Sequence, residues 1–274
     1  MLVYRHARRA AACHIDPPLC SVIEEVEHRD TVGHPVQLLQ GVVSEIENPT
    51  ANVRIVRIRT DRPMLFSPGQ YAKLRFVGGF ERCYSIASVD GDGFLEFHIR
   101  TALGEGAGSQ LASQLRIGDG LGVSGPHGLS HLRRNHDGPI ICVAGGTGLA
   151  PVLSIVRGAL ETGQRHPVHL YYGEKFDSDV YAAAKLSELK KRYPNLTSHI
   201  VIDAGSLADG RRSGPLVETL AMDWKGDIGL REFRAYVGGS PAMAHAVRDM
   251  LLEKGLSPDR IHSDCFSAQS AAAA

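Results

Sequence analysis

Arg82-Cys83-Tyr84-Ser85 and, sixty residues on, Gly145-Gly146-Thr147-Gly148-Leu149-Ala150-Pro151 decide how this chain is read. The first stretch puts a cation, an aromatic ring and a hydroxyl into four residues, after the turn residues Ser67-Pro68-Gly69-Gln70. Alternate side chains on a strand share a face, so Arg82 and Tyr84 point one way and Ser85 the other way or to the edge. Such a set offers a flavin a partner for phosphate, a ring contact and a polar neighbour for its reactive nitrogens. The second stretch follows the apolar run Pro139–Ala144 and precedes the helical pattern Val152, Leu153, Ile155, Val156. Strand, glycine turn and helix in that order let bare backbone approach a pyrophosphate at a helix N-terminus.

Outward from these stretches the chain changes style once. Before residue 131 the pattern is β. It includes an imperfectly alternating run Val53–Ile58 of the kind seen beside a bulge, a cleanly alternating Tyr71–Val77, and Phe94–Arg100 after the turn Asp90-Gly91-Asp92-Gly93. One short helix is expected over Ser109–Leu115. After about residue 138, strand-like runs (139–144, 167–172, 198–202, 233–237) alternate with helical ones (149–162, 179–192, 213–222, 241–255). The fold class is therefore α/β plus all-β: an antiparallel six-stranded β-barrel over residues 34–130, then a parallel-sheet, Rossmann-like unit over 131–274, with a polar leader at 1–33. The tail Ala271–Ala274 is low-complexity.

Composition excludes several classes. The 30 basic and 30 acidic residues cancel, so nothing points to nucleic acid or an anionic membrane. No apolar stretch reaches membrane-spanning length, and no secretory leader precedes Cys13. Five scattered cysteines make no disulfide framework, which favours a reducing, cytoplasmic setting. His127, His131 and His136 lie close in sequence but lack a helical frame or nearby cysteines, so no metal site is expected there. Asp179 reads as a helix N-cap and Cys83 as a packed strand residue.

Together with Tyr236-Val237-Gly238-Gly239-Ser240-Pro241-Ala242-Met243, the two opening stretches resemble the ferredoxin–NADP reductase superfamily. The resemblance implies FAD against Arg82, Tyr84 and Ser85. His98, Ile99 and Arg100 would run beside its ribityl and phosphate, and Gly106, Gly108 and Ser109 would open a pyrophosphate-binding helix. It implies a pyridine nucleotide over Gly146, Thr147, Gly148 and Pro151, with Gly239, Ser240, Pro241 and Met243 flanking the nicotinamide. Ser85 and Tyr84 take catalytic positions, and Phe266 covers the flavin or, equally, fills the core from a last strand. Glu174 and Lys175, after the second strand of the nucleotide unit, carry opposite signs where a ribose 2′-phosphate would be accepted or refused; the reading leans to NADH and leaves NADPH open. The superfamily's cysteine falls on Gly238, so Gly238→Cys is expected to speed hydride transfer by narrowing the nicotinamide's positions.

A finer resemblance, carried by Ser67–Tyr71, Glu96–Arg100, Ser124-Gly125-Pro126 and Gly145–Ala159, is to the reductase components of naphthalene-type ring-hydroxylating dioxygenases. Those begin with a plant-type ferredoxin domain, whose cluster needs four cysteines in a fixed spacing. Here only Ala11-Ala12-Cys13-His14 resembles part of it, and Cys13 with Cys20 cannot hold a 2Fe-2S cluster, so residues 1–33 are expected to be a cluster-free remnant. The resemblance then implies NADH-to-FAD hydride transfer and single-electron delivery to a separate 2Fe-2S ferredoxin or terminal oxygenase. A free-standing flavin or diaphorase-type reductase, and a non-catalytic nucleotide-binding subunit, remain the alternatives; the oxygenase substrate and oligomeric state are not legible.

Overall fold

The computed structural model describes residues 33–101, 112, 114–205, 208, 210–225 and 230–265. The ferredoxin-remnant reading with Cys13 and Cys20, the sites at Gly106, Gly108, Ser109 and Phe266, and the Ala271–Ala274 tail lie outside these residues, as does most of the 109–115 helix.

The first half is an antiparallel sheet of β1 (Gln37–Thr50), β2 (Val53–Thr60), β3 (Tyr71–Arg75), β4 (Glu81–Ser85), β5 (Leu95–Arg100) and β6 (Gly120–His127). Their order is β4-β3-β6-β1-β2-β5. A bridge from Ile86 to Phe97 brings the edge strands together and closes the barrel. Alternation does the sorting. In β1, Leu39, Gly41 and Val43 face inward while Leu38, Gln40 and Val42 face solvent. The irregularity expected near Val53–Ile58 falls on the partner strand: Val43 pairs with Ile58 and Glu45 with Arg57, so Ser44 is the extra residue of a bulge. Val56, Ile58, Leu74, Ile86, Phe97 and Ile99 are essentially inaccessible and form the barrel core.

The second half is β7 (Ile140–Gly145), α1 (Leu149–Glu161), β8 (Val168–Glu174), α2 (Ala183–Arg192), β9 (Leu196–Ile202), β10 (Arg212–Ser213), α3 (Leu216–Asp223), β11 (Arg234–Gly239), α4 (Pro241–Glu253) and β12 (Ile261–Cys265). The strands are parallel in the order β10-β9-β8-β7-β11-β12. Helices cover both faces, so β7 is a continuous buried run rather than an alternating one. Chain order runs outward from β7 in both directions, which makes the gap between β7 and β11 the topological switch point where such sheets bind ligands. No helix among the described residues is long and apolar enough to cross a membrane.

Two local expectations are corrected. Asp179 does not cap a helix: α2 starts four residues later with Ala182 at its N-cap, and Asp179 instead accepts from Asn52 Nδ2 at 3.3 Å, across the two sheets. Cys83 is exposed, because Cys83 pairs with Lys73 on the outward face of the β3–β4 ribbon.

Phe97→Ala is expected to cost about 3–5 kcal/mol through the cavity it leaves. Val77→Ser, at a site 88% exposed, should stay within about 0.5 kcal/mol. Urea unfolding of the two variants makes the comparison.

Candidate nucleotide and flavin site

The switch point is built from backbone. β7 and β11 both end in glycine pairs, Gly145-Gly146 and Gly238-Gly239. Gly146 adopts φ +57, and a Cβ there would lie 2.4 Å from Arg100 Nη2. A Cβ on Gly148 would lie 2.3 Å from the carbonyl oxygen of Gly238, and one on Gly238 the same distance from that of Gly148. The glycine turn thus rests directly on β11. Residues Gly146–Gly148 form a single 3-10 turn that leads into α1, whose N-terminus has no side-chain cap. A helix start without a side-chain cap, next to the switch point, is suited to an anion. Thr147 is half-exposed in that turn, and Pro151 is buried in the first turn of α1. On the opposite lip Ser240 caps α4 by accepting from the Met243 N–H at 3.3 Å, and Pro241 takes the first helical position. The Met243 thioether fills the space over Gly145 and Gly239 that side chains would otherwise occupy.

The barrel contributes β4 and β5. Arg82 lies over the Phe80 ring at 4.8 Å. Tyr84 meets Phe97 edge-on at 6.5 Å, and burial pushes its phenol up to about 12, so it remains a hydroxyl donor. Ser85 is buried on the other face, as the alternation predicts, and its Oγ donates to Asp264 Oδ2 at 3.3 Å. Asp264 pairs in register with Gly238. Ser85, Asp264, Gly238 and Gly148 therefore form a continuous line from the barrel strand to the glycine turn. Asp264 escaped the sequence reading. Its one signal was an acid in the last strand-like segment, and the partner is 179 positions away.

β5 divides by alternation. His98 and Arg100 turn toward the parallel sheet, while Ile99 faces inward with 1% exposure and its side chain packs in the barrel core. His98 Nδ1 is 3.0 Å from Tyr181 Oη, which joins the barrel to the parallel sheet, and its Nε2 is 3.2 Å from Glu96 Oε1 on its own strand. Arg100 reaches the glycine turn.

At the end of β8 the two opposite charges separate. Lys175 is exposed, with its ammonium 5.3 Å from the Phe176 ring. Glu174 turns inward and accepts from Tyr172 Oη at 2.7 Å. Burial pushes its carboxyl up to about 7, with Tyr172 and the charge of Arg100 pulling the other way. Each loop histidine has a local partner: His127 stacks on Tyr71, His136 Nε2 meets the Pro139 carbonyl, and His131 Nε2 accepts from Arg133 Nη1 at 2.6 Å. Burial, then the Arg133 charge, pushes His131 down to about 4.

Residues 40–131 match the oxidoreductase FAD-binding domain and residues 142–249 the oxidoreductase NAD-binding domain. Over 244 residues the chain is 41% identical to the ferredoxin–NAD(P)+ reductase component of a Ralstonia naphthalene 1,2-dioxygenase/salicylate 5-hydroxylase system, covering 89% of this chain and 74% of that one. The chain belongs to the ferredoxin–NAD(P)+ reductase family. The reductase component of the Pseudomonas putida naphthalene 1,2-dioxygenase system is likewise 41% identical with the same coverage. Among solved structures, a cytochrome P450 reductase of Amycolatopsis superposes with TM-score 0.79 at 30% identity, over 87% of this chain and 73% of that one. The ferredoxin reductase in carbazole 1,9a-dioxygenase gives 0.75 at 28%, over 85% and 70%. The two sheets are thus the FAD-binding and NAD-binding halves of a reductase.

Within this reductase the expectation for Gly238→Cys reverses. A side chain at 238 meets the Gly148 backbone before it reaches any ligand, so the turn or β11 must shift. Overpacking of this kind costs about 1–3 kcal/mol. Gly238→Cys should lower thermal stability and weaken NADH binding, with no gain in the limiting rate of flavin reduction by stopped flow.

Proposed function

We propose that this chain takes hydride from NADH and delivers the electrons one at a time to a separate iron–sulfur ferredoxin, or to the oxygenase, of an aromatic-ring oxygenase system. The observation that carries the reading is the Ser85–Asp264 contact beside Gly238, which joins the flavin strand to the nucleotide crevice. The relatives' names, reductase components of naphthalene dioxygenase systems, support the class of acceptor.

The residues fit both groups. The glycines at 145, 146, 148, 238 and 239 bring bare backbone, the Arg100 guanidinium and the Met243 thioether together at the switch point, and Arg82, Tyr84 and Ser85 present a cation, a ring and a hydroxyl along one strand. FAD, when bound, supplies the conversion of a two-electron hydride into single electrons. Arg82 would hold its phosphates, with Tyr84 against the ribityl or ring. Ser85 would lie at the reacting edge with its proton able to pass to Asp264 Oδ2. Arg100, Thr147 and the α1 N-terminus would take the nucleotide phosphates, while Ser240, Pro241 and Met243 wall the nicotinamide. Glu174 puts a carboxyl where a second phosphate would bring like charge, which favours NADH.

Anaerobic NADH titration of FAD-loaded protein, followed by visible absorbance, tests the reading. Stoichiometric bleaching of the flavin is expected, and reoxidation by a 2Fe-2S ferredoxin should follow. A flavin that stays oxidised under excess NADH overturns it.

Arg82→Ala should weaken FAD retention more than Ser85→Ala, since a charge-assisted phosphate contact is worth about 1.5–3 kcal/mol against about 1 for a neutral one. Ser85→Ala should instead slow flavin reduction. Gel filtration and stopped flow separate the two effects.

NADH affinity should also depend on pH. Below about 7 the Glu174 carboxyl is neutral; as pH rises through that value it gains a negative charge facing the phosphates. The Kd for NADH should therefore rise a few-fold, roughly, between pH 6 and 8. Titrations of Glu174→Gln should give a flat profile.

A further inference from the structure

The helix that carries the glycine turn is fastened to the barrel along one face. Ser154, with no exposed surface, donates from Oγ to the Ser88 carbonyl at 2.6 Å. Three residues on, Arg157 Nη1 and Nη2 donate to Asp92 Oδ2 and Oδ1 at 2.7 and 2.8 Å, a two-point fork that fixes angle as well as distance. The Asp92 carboxylate is itself oriented by the Val89 N–H at 3.0 Å, and Arg157 Nε by Glu161 at 3.2 Å. Between these polar contacts Ile155 packs on Gly69, where a Cβ would come within 2.8 Å of its Cδ1, and Gly158 leaves room for Pro68. Positions 154, 155, 157 and 158 thus form one docking face on α1.

These fastenings sit close to both halves of the reaction. Ser88 follows Ser85 by three residues, at most about 10 Å of extended chain. Ser154 follows Gly148 by six residues, about 9 Å of helix. The intervening Ile86 and Ala87 are fully buried, and Ala87 N–H donates to Glu96 O at 2.8 Å, so that arm has no slack. Burial alone would raise the Asp92 carboxyl; the hydrogen bonds from Arg157 and Val89 outweigh it and hold the carboxyl below its ordinary range, so the pair stays charged at neutral pH.

We propose that Arg157, through Asp92, and Ser154, through the Ser88 carbonyl, are positioning residues that fix the nucleotide-binding end of α1 relative to the flavin strand. They touch neither ligand and act by holding the two sheets in one register. The inference rests on the hydride-transfer reading for its kinetic consequence, though the fastening itself does not.

The test compares wild type, Arg157→Gln, Arg157→Lys, Ser154→Ala and, as control, Arg212→Gln. Arg212 makes a similar fork to Asp223 between β10 and α3, away from the barrel. In stopped flow at saturating NADH, Arg157→Gln should lower the limiting rate of flavin reduction about ten- to a hundred-fold, since misplacement of about 1 Å costs that much. The Kd for NADH should stay within about two-fold, because the phosphate contacts are untouched. Arg157→Lys, which keeps the charge and loses the fork, should fall between, and Arg212→Gln should keep the wild-type rate. Hydrogen–deuterium exchange of FAD-loaded protein without nucleotide should show faster exchange at residues 86–92 in Arg157→Gln and Ser154→Ala but not in Arg212→Gln. A limiting rate within about two-fold of wild type in Arg157→Gln, or an equal loss in Arg212→Gln, overturns the proposal. If Arg157→Gln does not fold, Ser154→Ala carries the same comparison, and an unchanged rate there overturns it. A wild-type protein that NADH fails to reduce would sink the electron-transfer reading, and the exchange result would then decide the fastening by itself.

Discussion

The close approach of Gly148 to Gly238 is the constraint on which the crevice depends. Two parallel strands at the switch point end with their carboxyl sides toward the same space, and a pyrophosphate can enter only if no side chain stands there. Removing the side chains lets the turn sink until carbonyl meets backbone, with 2.3 Å left for any added Cβ. That contact sets how far the α1 N-terminus stands from β11. Through the β11–β12 register it also sets where Asp264 meets Ser85. Met243, an unbranched thioether, packs over Gly145 and Gly239 and completes the arrangement.

The period of two in β5 explains how a single strand serves both the core and the cleft. Ile99 and Phe97 close the barrel while Glu96, His98 and Arg100 stand on the other face. Burial would raise the Glu96 carboxyl, yet bonds from His98 and Arg57 hold it down at about 2. Arg57 in turn is shared with Glu45 and Glu47 on β1. A charged ladder therefore runs across the outside of the barrel to Tyr181 at its edge. Polar groups at this depth are tolerated because each has a partner, and partnered groups of this kind fix a register that apolar packing alone leaves free to slide.

Much of this was legible in the chain. Strand-and-turn spacing before residue 131 and strand-helix alternation after it follow from local periodicity, and the glycine turn is a local motif whose geometry requires glycine. What the sequence concealed is long-range. Asp264 becomes a neighbour of Ser85 only through the β11–β12 pairing, and the partner of Asp179, Asn52, sits in the β1–β2 turn of the barrel, far away in sequence. The resemblance placed Ile99 beside the flavin with His98 and Arg100, and the pleat turns its side chain into the barrel core. Cys83 misled for a related reason: an apolar-looking residue in a strand still faces solvent when its cross-strand neighbour is Lys73. At Gly238 the sequence showed only a missing side chain; the opposing Gly148 backbone, 2.3 Å from an added Cβ, comes from the fold.

The two side chains at 174 and 175, adjacent in sequence, are set apart by the fold. Read linearly, Glu and Lys in succession leave the choice between a bare and a phosphorylated ribose undecided. The strand end separates them: alternation turns Glu174 toward Tyr172 and the side of the sheet that Arg100 approaches, while Lys175 extends over Phe176 into solvent. A solvated ammonium on a four-carbon stem is free to move and is screened by salt, so it contributes little to discrimination. A half-buried carboxyl held by a tyrosine has neither freedom. Of the two neighbouring side chains, only the acid has a fixed position and restricted solvation.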